Sequence, residues 1–348
     1  MRDEEVNRVN SKEIVKRAIE FRNPERVPYN FDNCRTVPIE TKYGDDFQWV
    51  NLDPDPEFVP KVFNDEEYEN EWKVIYKRMG KTLGEPHIYP IDDINKVYTY
   101  KTPDLSADYR FHSAIRLISE NSDKYVLGTL GLPGTNAFIF MLMIDLFGFE
   151  NFMLNIGMYP EEVEYLADRI TEEHLKTIDR YSTLGIDGVI AGEDLGVQDR
   201  LIISPNMWRR IFKPRYERII RKAHSKGMHV MLHICGYILD ILDDLIEIGL
   251  DVVQIDQQDN MGIDNLGEKY GGKICFFCPV DIQTTLMGND RAKVEKKAIQ
   301  LMKAFGRKGG GFIAKIYPQP EALNIPEENV KLMCEVFKKY GKYPLSMV

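Results

Sequence analysis

Two side chains able to ligate a metal stand two positions apart at His233-Ile234-Cys235-Gly236. Residues 229–234 are short, apolar-rich and bounded by Gly227 and Gly236, which predicts a buried strand. Side chains alternate across a strand, so His233 and Cys235 share a face. An imidazole and a thiol side by side at a strand end are two ready ligands for a borderline-soft metal such as zinc. Taken alone, the pair fits a core histidine beside an inert buried cysteine better than a metal site, because two ligands are half of one.

Neighbouring strand ends change that balance. The strand predicted over 188–192 delivers Glu193 and Asp194, with Gln198 beyond. The strand over 252–256 carries Gln254 and Asp256, followed by Gln257 and Gln258. The strand over 273–280 carries Cys278, then Asp281 and Gln283, and the strand over 312–317 carries Lys315 and Tyr317. Polar or ionisable residues thus fall at the same end of five consecutive strands, which is more than ordinary loop chemistry supplies. Cys275 and Cys278 are three apart and so face opposite ways, which argues against a paired redox or zinc knuckle. Cys278, nearer the strand end, is the better third ligand. Glu193 and Asp194 also diverge, and one of them lines the mouth.

The elements that position these residues repeat. A helix over 11–21, capped by Ser11, precedes an extended segment over 26–32. Residues 33–107 are irregular and rich in Pro, Asp and Tyr; they read as an antiparallel excursion and loops that could wall a pocket. From residue 125 onward short apolar runs alternate with amphipathic helices over 136–147, 161–181, 238–248, 292–305 and 327–340. A helix starting at Ser204-Pro205 runs toward His224 and is kinked or split at Pro214. His174 lies on an apolar helical stripe and reads as structural. Serial β-α units imply a parallel sheet. No Gly-x-Gly-x-x-Gly follows a strand and no phosphate loop is present, which argues against a nucleotide-binding open sheet. The expectation is an α/β fold: a (β/α)8 TIM barrel over residues 1–348, with residues 1–107 as an N-terminal extension of helix and antiparallel pieces. Function in such barrels gathers at the carboxyl ends of the strands.

Composition excludes several classes. Net charge is 45 − 55 = −10, a poor match for nucleic acid or an anionic membrane surface. No run approaches the ~20 apolar residues of a span, and the start Met-Arg-Asp-Glu-Glu lacks a secretory core. Five cysteines are odd and sparse, so reduced thiols in a cytoplasm are expected. Base rates for soluble enzymes make a homodimer the expected assembly.

Asn23-Pro-Glu-Arg-Val-Pro28, Gly192-Glu-Asp-Leu-Gly-Val-Gln198, Ile203-Ser-Pro205, Lys213-Pro-Arg215, His233-Ile-Cys-Gly236, Asp281-Ile-Gln283, Gly310-Gly-Phe-Ile-Ala314 and Pro326-Glu-Glu-Asn329 occur in that order. Together they resemble the uroporphyrinogen decarboxylase superfamily over nearly the whole chain. The resemblance implies a (β/α)8 barrel and one of two chemistries. True decarboxylases carry an Arg-rich N-terminal motif for substrate carboxylates, where this chain has Tyr29-Asn-Phe-Asp-Asn-Cys34. The other branch is similar to zinc methyltransferases that work with corrinoid proteins. In its coenzyme M members a His-x-Cys pair and a later cysteine hold zinc. His233 and Cys235 match the pair; no cysteine lies near Tyr317-Pro-Gln-Pro320, where the third would be.

The reading that follows is a methyltransferase that demethylates a small methylated compound, such as a methoxylated aromatic, and passes the methyl to the cobalt of a corrinoid protein. Zinc would be held by His233 and Cys235, with Cys278 or Glu193 completing the protein ligands, and would stabilise the departing oxygen. Asp194 or Asp256 would orient a substrate hydroxyl or deliver a proton. Tyr29, Phe31, Asp32, Trp208, Gln198, Asp281 and Tyr317 are the expected substrate-binding residues. The alternatives are a decarboxylase of this superfamily, a coenzyme M methyltransferase, and a catalytically lapsed barrel that only binds.

Overall fold

Short runs rich in β-branched and aromatic residues become parallel strands, and the amphipathic runs between them become the helices that cover them. The computed structural model describes residues 9–31, 43–64, 66–78, 84–120, 123–132 and 138–345. The helix α1 (Ser11–Ile19) leads to β1 (Tyr29–Asn30) and β2 (Phe47–Val50). The strands β3 (Val62–Asn64), β4 (Glu67–Glu69), β5 (Ile75–Lys77) and β6 (Glu85–Ile88) form a separate antiparallel sheet. The chain then runs through α2 (His112–Glu120), β7 (Tyr125–Thr129), α3 (Phe140–Phe147), α4 (Phe149–Met158), α5 (Pro160–Leu184) and β8 (Gly188–Asp194). Next come α6 (Pro205–Ile211), α7 (Lys213–Ser225), β9 (His229–Cys235), α8 (Leu239–Glu247) and β10 (Val252–Gln254). It closes with α9 (Ile263–Tyr270), β11 (Cys275–Cys278), α10 (Arg291–Phe305), β12 (Phe312–Lys315) and α11 (Glu327–Tyr340).

Eight strands pair in the order β1-β12-β11-β10-β9-β8-β7-β2, each pair parallel. The two ends meet where the Asp46 N–H donates to the Tyr29 carbonyl at 2.9 Å and Asn30 bridges Asp45. The result is a nearly closed (β/α)8 barrel, as the β-α alternation implies. Its floor is filled by inward side chains from many strands: Phe47, Tyr125, Leu127, Ile190, Met231, Val252, Cys275, Phe277 and Ile313, all buried. Each such side chain contributes roughly 1.5–3 kcal/mol by leaving water. A packed floor leaves space for a ligand only above it, at the carboxyl ends.

Several local expectations shift. The cap of α1 is Asn10, whose side chain accepts from the Glu13 N–H at 2.9 Å, while Ser11 donates to Asp46 at 2.6 Å. The segment from Ser204 does split, into α6 and α7 at Phe212, with Pro214 in the first turn of α7. Ser204 caps α6 by accepting from the Met207 N–H. Phe47–Val50 is a barrel strand, not part of an irregular excursion; the antiparallel sheet begins after it. That sheet packs on the flank of α3, where the Tyr76 hydroxyl donates to Asp145 at 2.9 Å. The expected helix start at Asn136 lies outside the described residues. His174 is fully buried against Phe138, and burial holds its imidazole down at about 4. Among the described residues no single helix is long and apolar enough to cross a membrane.

Candidate metal centre and its pocket

Register decides which strand-end residues meet. On β9 the inward set includes His229, Met231, His233 and Cys235. β8 pairs with it so that Gly192 faces His233 and Asp194 faces Cys235. Asp194, His233 and Cys235 therefore bring one donor atom each within 4.8 Å of one another. The His233 Nε2 lies 3.2 Å from Cys235 Sγ. On the other side of the ring, Nδ1 lies 2.5 Å from Gln254 Oε1, across the β9–β10 pair.

Gly236 explains how Cys235 is held at the turn. Its φ is +80°, and a Cβ there would overlap the backbone of Gly196. The Gly196 N–H donates to the Cys235 carbonyl at 3.1 Å, and the Gly236 N–H donates to Gln257 Oε1 at 2.6 Å. Glycine at both 196 and 236 lets the loop after β8 lie directly on the end of β9.

An O/N/S donor set of this kind suits zinc, which takes carboxylate, imidazole and thiolate in tetrahedral geometry. Burial pushes the Cys235 thiol up, and the Asp194 carboxylate adds to the effect. A thiolate beside a carboxylate in a partly buried site is costly unless a cation joins them.

A cavity of about 420 Å³ opens beside this cluster, lined by Trp49, Asn51, Thr129, His233, Gln254, Asp256, Lys315, Tyr317 and Gln319 among others. A second lobe of about 350 Å³ shares His233, Asp256 and Tyr317 and adds Cys235, Gln257, Ile282, Gln283, Met287 and Leu323. Both volumes lie in the range of small-molecule sites. Lys315 is the one cation lining either lobe among the described residues, and its ammonium donates to Asp256 at 2.9 Å. Burial and the nearby charges of Asp256, Cys235 and Asp194 push the Tyr317 hydroxyl up.

Several expected site residues stand elsewhere. Cys278 does not join the donor cluster: it is fully buried in the shell between barrel and helices, while Cys275 faces inward. The pair does face opposite ways, but the inward member is the other one. Glu193 is 1% exposed and points away from the mouth. Its carboxylate accepts the Ile139, Phe140 and Met141 N–H groups at 2.8–2.9 Å and the Tyr216 hydroxyl, so it clasps the start of α3. Burial pushes that carboxyl up to about 7 against the pull of these hydrogen bonds.

Trp208 is fully buried in the helical shell, edge-on to Tyr216. Phe31 is stacked between Tyr29 and Phe337, and Tyr29 lies under the Arg26 guanidinium, so neither ring lines the cavity. Asp281 accepts from Thr284 and from the Gln283 and Thr285 N–H groups. Burial opposes its charge, but those bonds win and hold its carboxyl below the usual value. It folds the turn that carries Ile282 and Gln283 to the second lobe. Gln198 is exposed and accepts from Asn260. Asp32 lies outside the described residues. Tyr317 and Asp256 do line the pocket.

Trp49, Asn51 and Thr129 are the additions. Phe47-Gln48-Trp49-Val50 alternates in the strand manner, and Thr129 ends a strand already legible in the sequence. Those were the available signals.

Residues 73–340 match the profile of the family described as Uroporphyrinogen decarboxylase (URO-D), which is more than half of the chain. The chain belongs to the uroporphyrinogen decarboxylase family. Among solved structures, a methyltransferase from Methanosarcina mazei is similar to this family member with a TM-score of 0.68 and 16% identity, over 95% of this chain and 99% of that one. At that identity the likeness shows a shared fold. A D-psicose 3-epimerase with D-tagatose from Clostridium cellulolyticum H10 matches at a TM-score of 0.46 and 8% identity, over 92% of this chain and 100% of that one. No curated protein sequence matches the chain significantly.

Proposed function

We propose that this member of the family is a zinc-dependent methyltransferase that demethylates a small oxygen-methylated compound, of the methoxyarene class, and passes the methyl group to the cobalt of a corrinoid protein. The observation that carries the reading is the Asp194–His233–Cys235 cluster at the wall of an open cavity. Asp194 takes the place of the cysteine that coenzyme M methyltransferases carry in a later loop. A bound zinc supplies Lewis acidity toward an ether oxygen, which lowers the cost of a departing phenoxide.

The chain's own residues do the rest. Trp49 and Tyr317 give the cavity aromatic walls. Asn51, whose carbonyl accepts from Thr129 at 3.1 Å, presents an amide at the rim. With zinc(II) and a Cys235 thiolate, the charges of Asp194, Asp256 and Lys315 sum with them to zero, which favours an uncharged donor over an anion. Among the described residues a tetrapyrrole polycarboxylate would meet one lining cation, Lys315, already paired with Asp256. That feature favours methyl transfer over the decarboxylase alternative.

Incubation of the zinc-loaded chain with a panel of methoxyarenes and a reduced corrinoid protein tests the reading. It predicts methylcobalt absorbance and one free phenol per methyl transferred. Absence of both products across the panel would overturn it.

A further inference from the structure

Behind the donor cluster a polar chain crosses three strands. His233 Nδ1 lies 2.5 Å from Gln254 Oε1. Gln254 Nε2 donates to Asp256 Oδ1 at 2.8 Å, and Lys315 Nζ donates to the same oxygen at 2.9 Å. Gln254 is 5% exposed, Asp256 4% and Lys315 5%. An amide carbonyl cannot donate, so a Gln254 Oε1 within hydrogen-bond distance of Nδ1 requires a proton on Nδ1. The lone pair then belongs to Nε2, the nitrogen that faces Cys235 Sγ.

What keeps the amide from turning over is Asp256. A flipped Gln254 would bring its carbonyl against Asp256 Oδ1, placing two acceptors together in a buried site. It would also aim its NH2 at the imidazole and invert the tautomer. Lys315 fixes the acceptor role of Oδ1 by donating to it from β12.

We infer that Gln254 is a positioning residue for the metal centre: oriented by the Lys315–Asp256 ion pair, it sets His233 in the Nδ1–H tautomer and so leaves Nε2 ready for a metal. The inference rests on His233 being a metal ligand. It also changes the part played by Asp256, from proton donor to substrate into the group that orients Gln254. Partners of this kind hold a ligating histidine's second nitrogen in metal sites generally.

Two readouts test it on the full-length chain, and neither needs turnover. The first is long-range 15N–1H correlation of the metal-free chain labelled at its six histidines, with His233 assigned by its loss in His233→Gln. The second is zinc affinity by competition with a chromophoric chelator. Wild type should show His233 as the Nδ1–H tautomer. Gln254→Met, which keeps the shape and removes the acceptor, should mix the tautomers and weaken zinc binding roughly 10–100-fold. Gln254→Glu loses the donor to Asp256 but keeps an oxygen acceptor at Nδ1, so it should retain the tautomer and bind zinc more tightly than Gln254→Met does. A merely structural role predicts the opposite order, since a second carboxylate beside Asp256 harms packing more than methionine does. Wild-type zinc binding matched by Gln254→Met, or an Nε2–H tautomer in wild type, would overturn the inference alone. A wild-type chain with the Nδ1–H tautomer and no zinc affinity would overturn the metal reading, and this inference with it.

Discussion

Glu193 and Asp194 are adjacent carboxylates with opposite employments. Asp194 is exposed at the mouth beside Cys235, while Glu193 turns into the shell and clasps α3. Replacing Glu193 with Ala would strand the buried Ile139 and Phe140 N–H groups, the half-buried Met141 N–H and the Tyr216 hydroxyl. The expected loss is about 3 kcal/mol of stability in denaturant titration, since each buried polar group left without a partner costs about 1–3 kcal/mol. Zinc content should stay unchanged, whereas Asp194→Asn should weaken zinc by more than about 100-fold, beyond what loss of an outer partner costs. A zinc loss in Glu193→Ala with Asp194→Asn unaffected would reverse the two roles. The sequence made the divergence of these neighbours legible through strand parity, yet parity alone does not say which one points inward. Register against β9 settles it, and register is a property of two strands. Cys278 shows the same limit: the opposite facing of Cys275 and Cys278 was readable, but nearness to the strand end was the wrong guide to the inward one.

At the scale of elements, β9 carries His233 and Cys235, two of the three clustered donor side chains, and is pinned at both ends. At its start the Val230 N–H donates to Asp251 Oδ2 at 2.7 Å, and the same oxygen meets His224 Nε2 at 2.8 Å from α7. The Asp251 hydrogen bond raises the His224 pKa above 6.5, against the effect of burial. A raised folded-state pKa contributes stability that is fully present below the unfolded value and is lost as pH rises through the folded one. Thermal melts should therefore show His224→Gln less stable than wild type at about pH 6 and equal to it at about pH 9. An equal deficit at both pH values would contradict the ion-pair account. The repeating β-α units were legible because each parallel strand is buried on both faces and reads as an apolar run. β2 was not, because four alternating residues inside a Pro- and Tyr-rich stretch carry too little signal against their surroundings. Without β2 the sequence does not mark Trp49 and Asn51 as pocket residues, while Tyr29, Phe31 and Trp208, aromatic by type, complete the shell instead.

Over the whole molecule the packed floor of aromatic and aliphatic side chains closes the barrel below, and the open cavity above it faces the donor cluster. A ligand that binds only the folded chain stabilises it by mass action, about 2.7 kcal/mol at a hundredfold excess over its Kd. Zinc should thus raise the melting temperature of the wild-type chain reversibly, with a chelator restoring the metal-free value, and should leave that of Cys235→Ser unmoved. The family and the barrel were legible in ordered motifs and in the β-α alternation, while the meeting of Asp194 with His233 and Cys235 was not, because it depends on the register of β8 against β9. The most direct test of the account is elemental analysis of the purified chain and three variants. It predicts one zinc per chain in wild type and in Cys278→Ser, and none in His233→Ala or Cys235→Ser. Zinc absent from wild type, kept in His233→Ala, or lost in Cys278→Ser would contradict it.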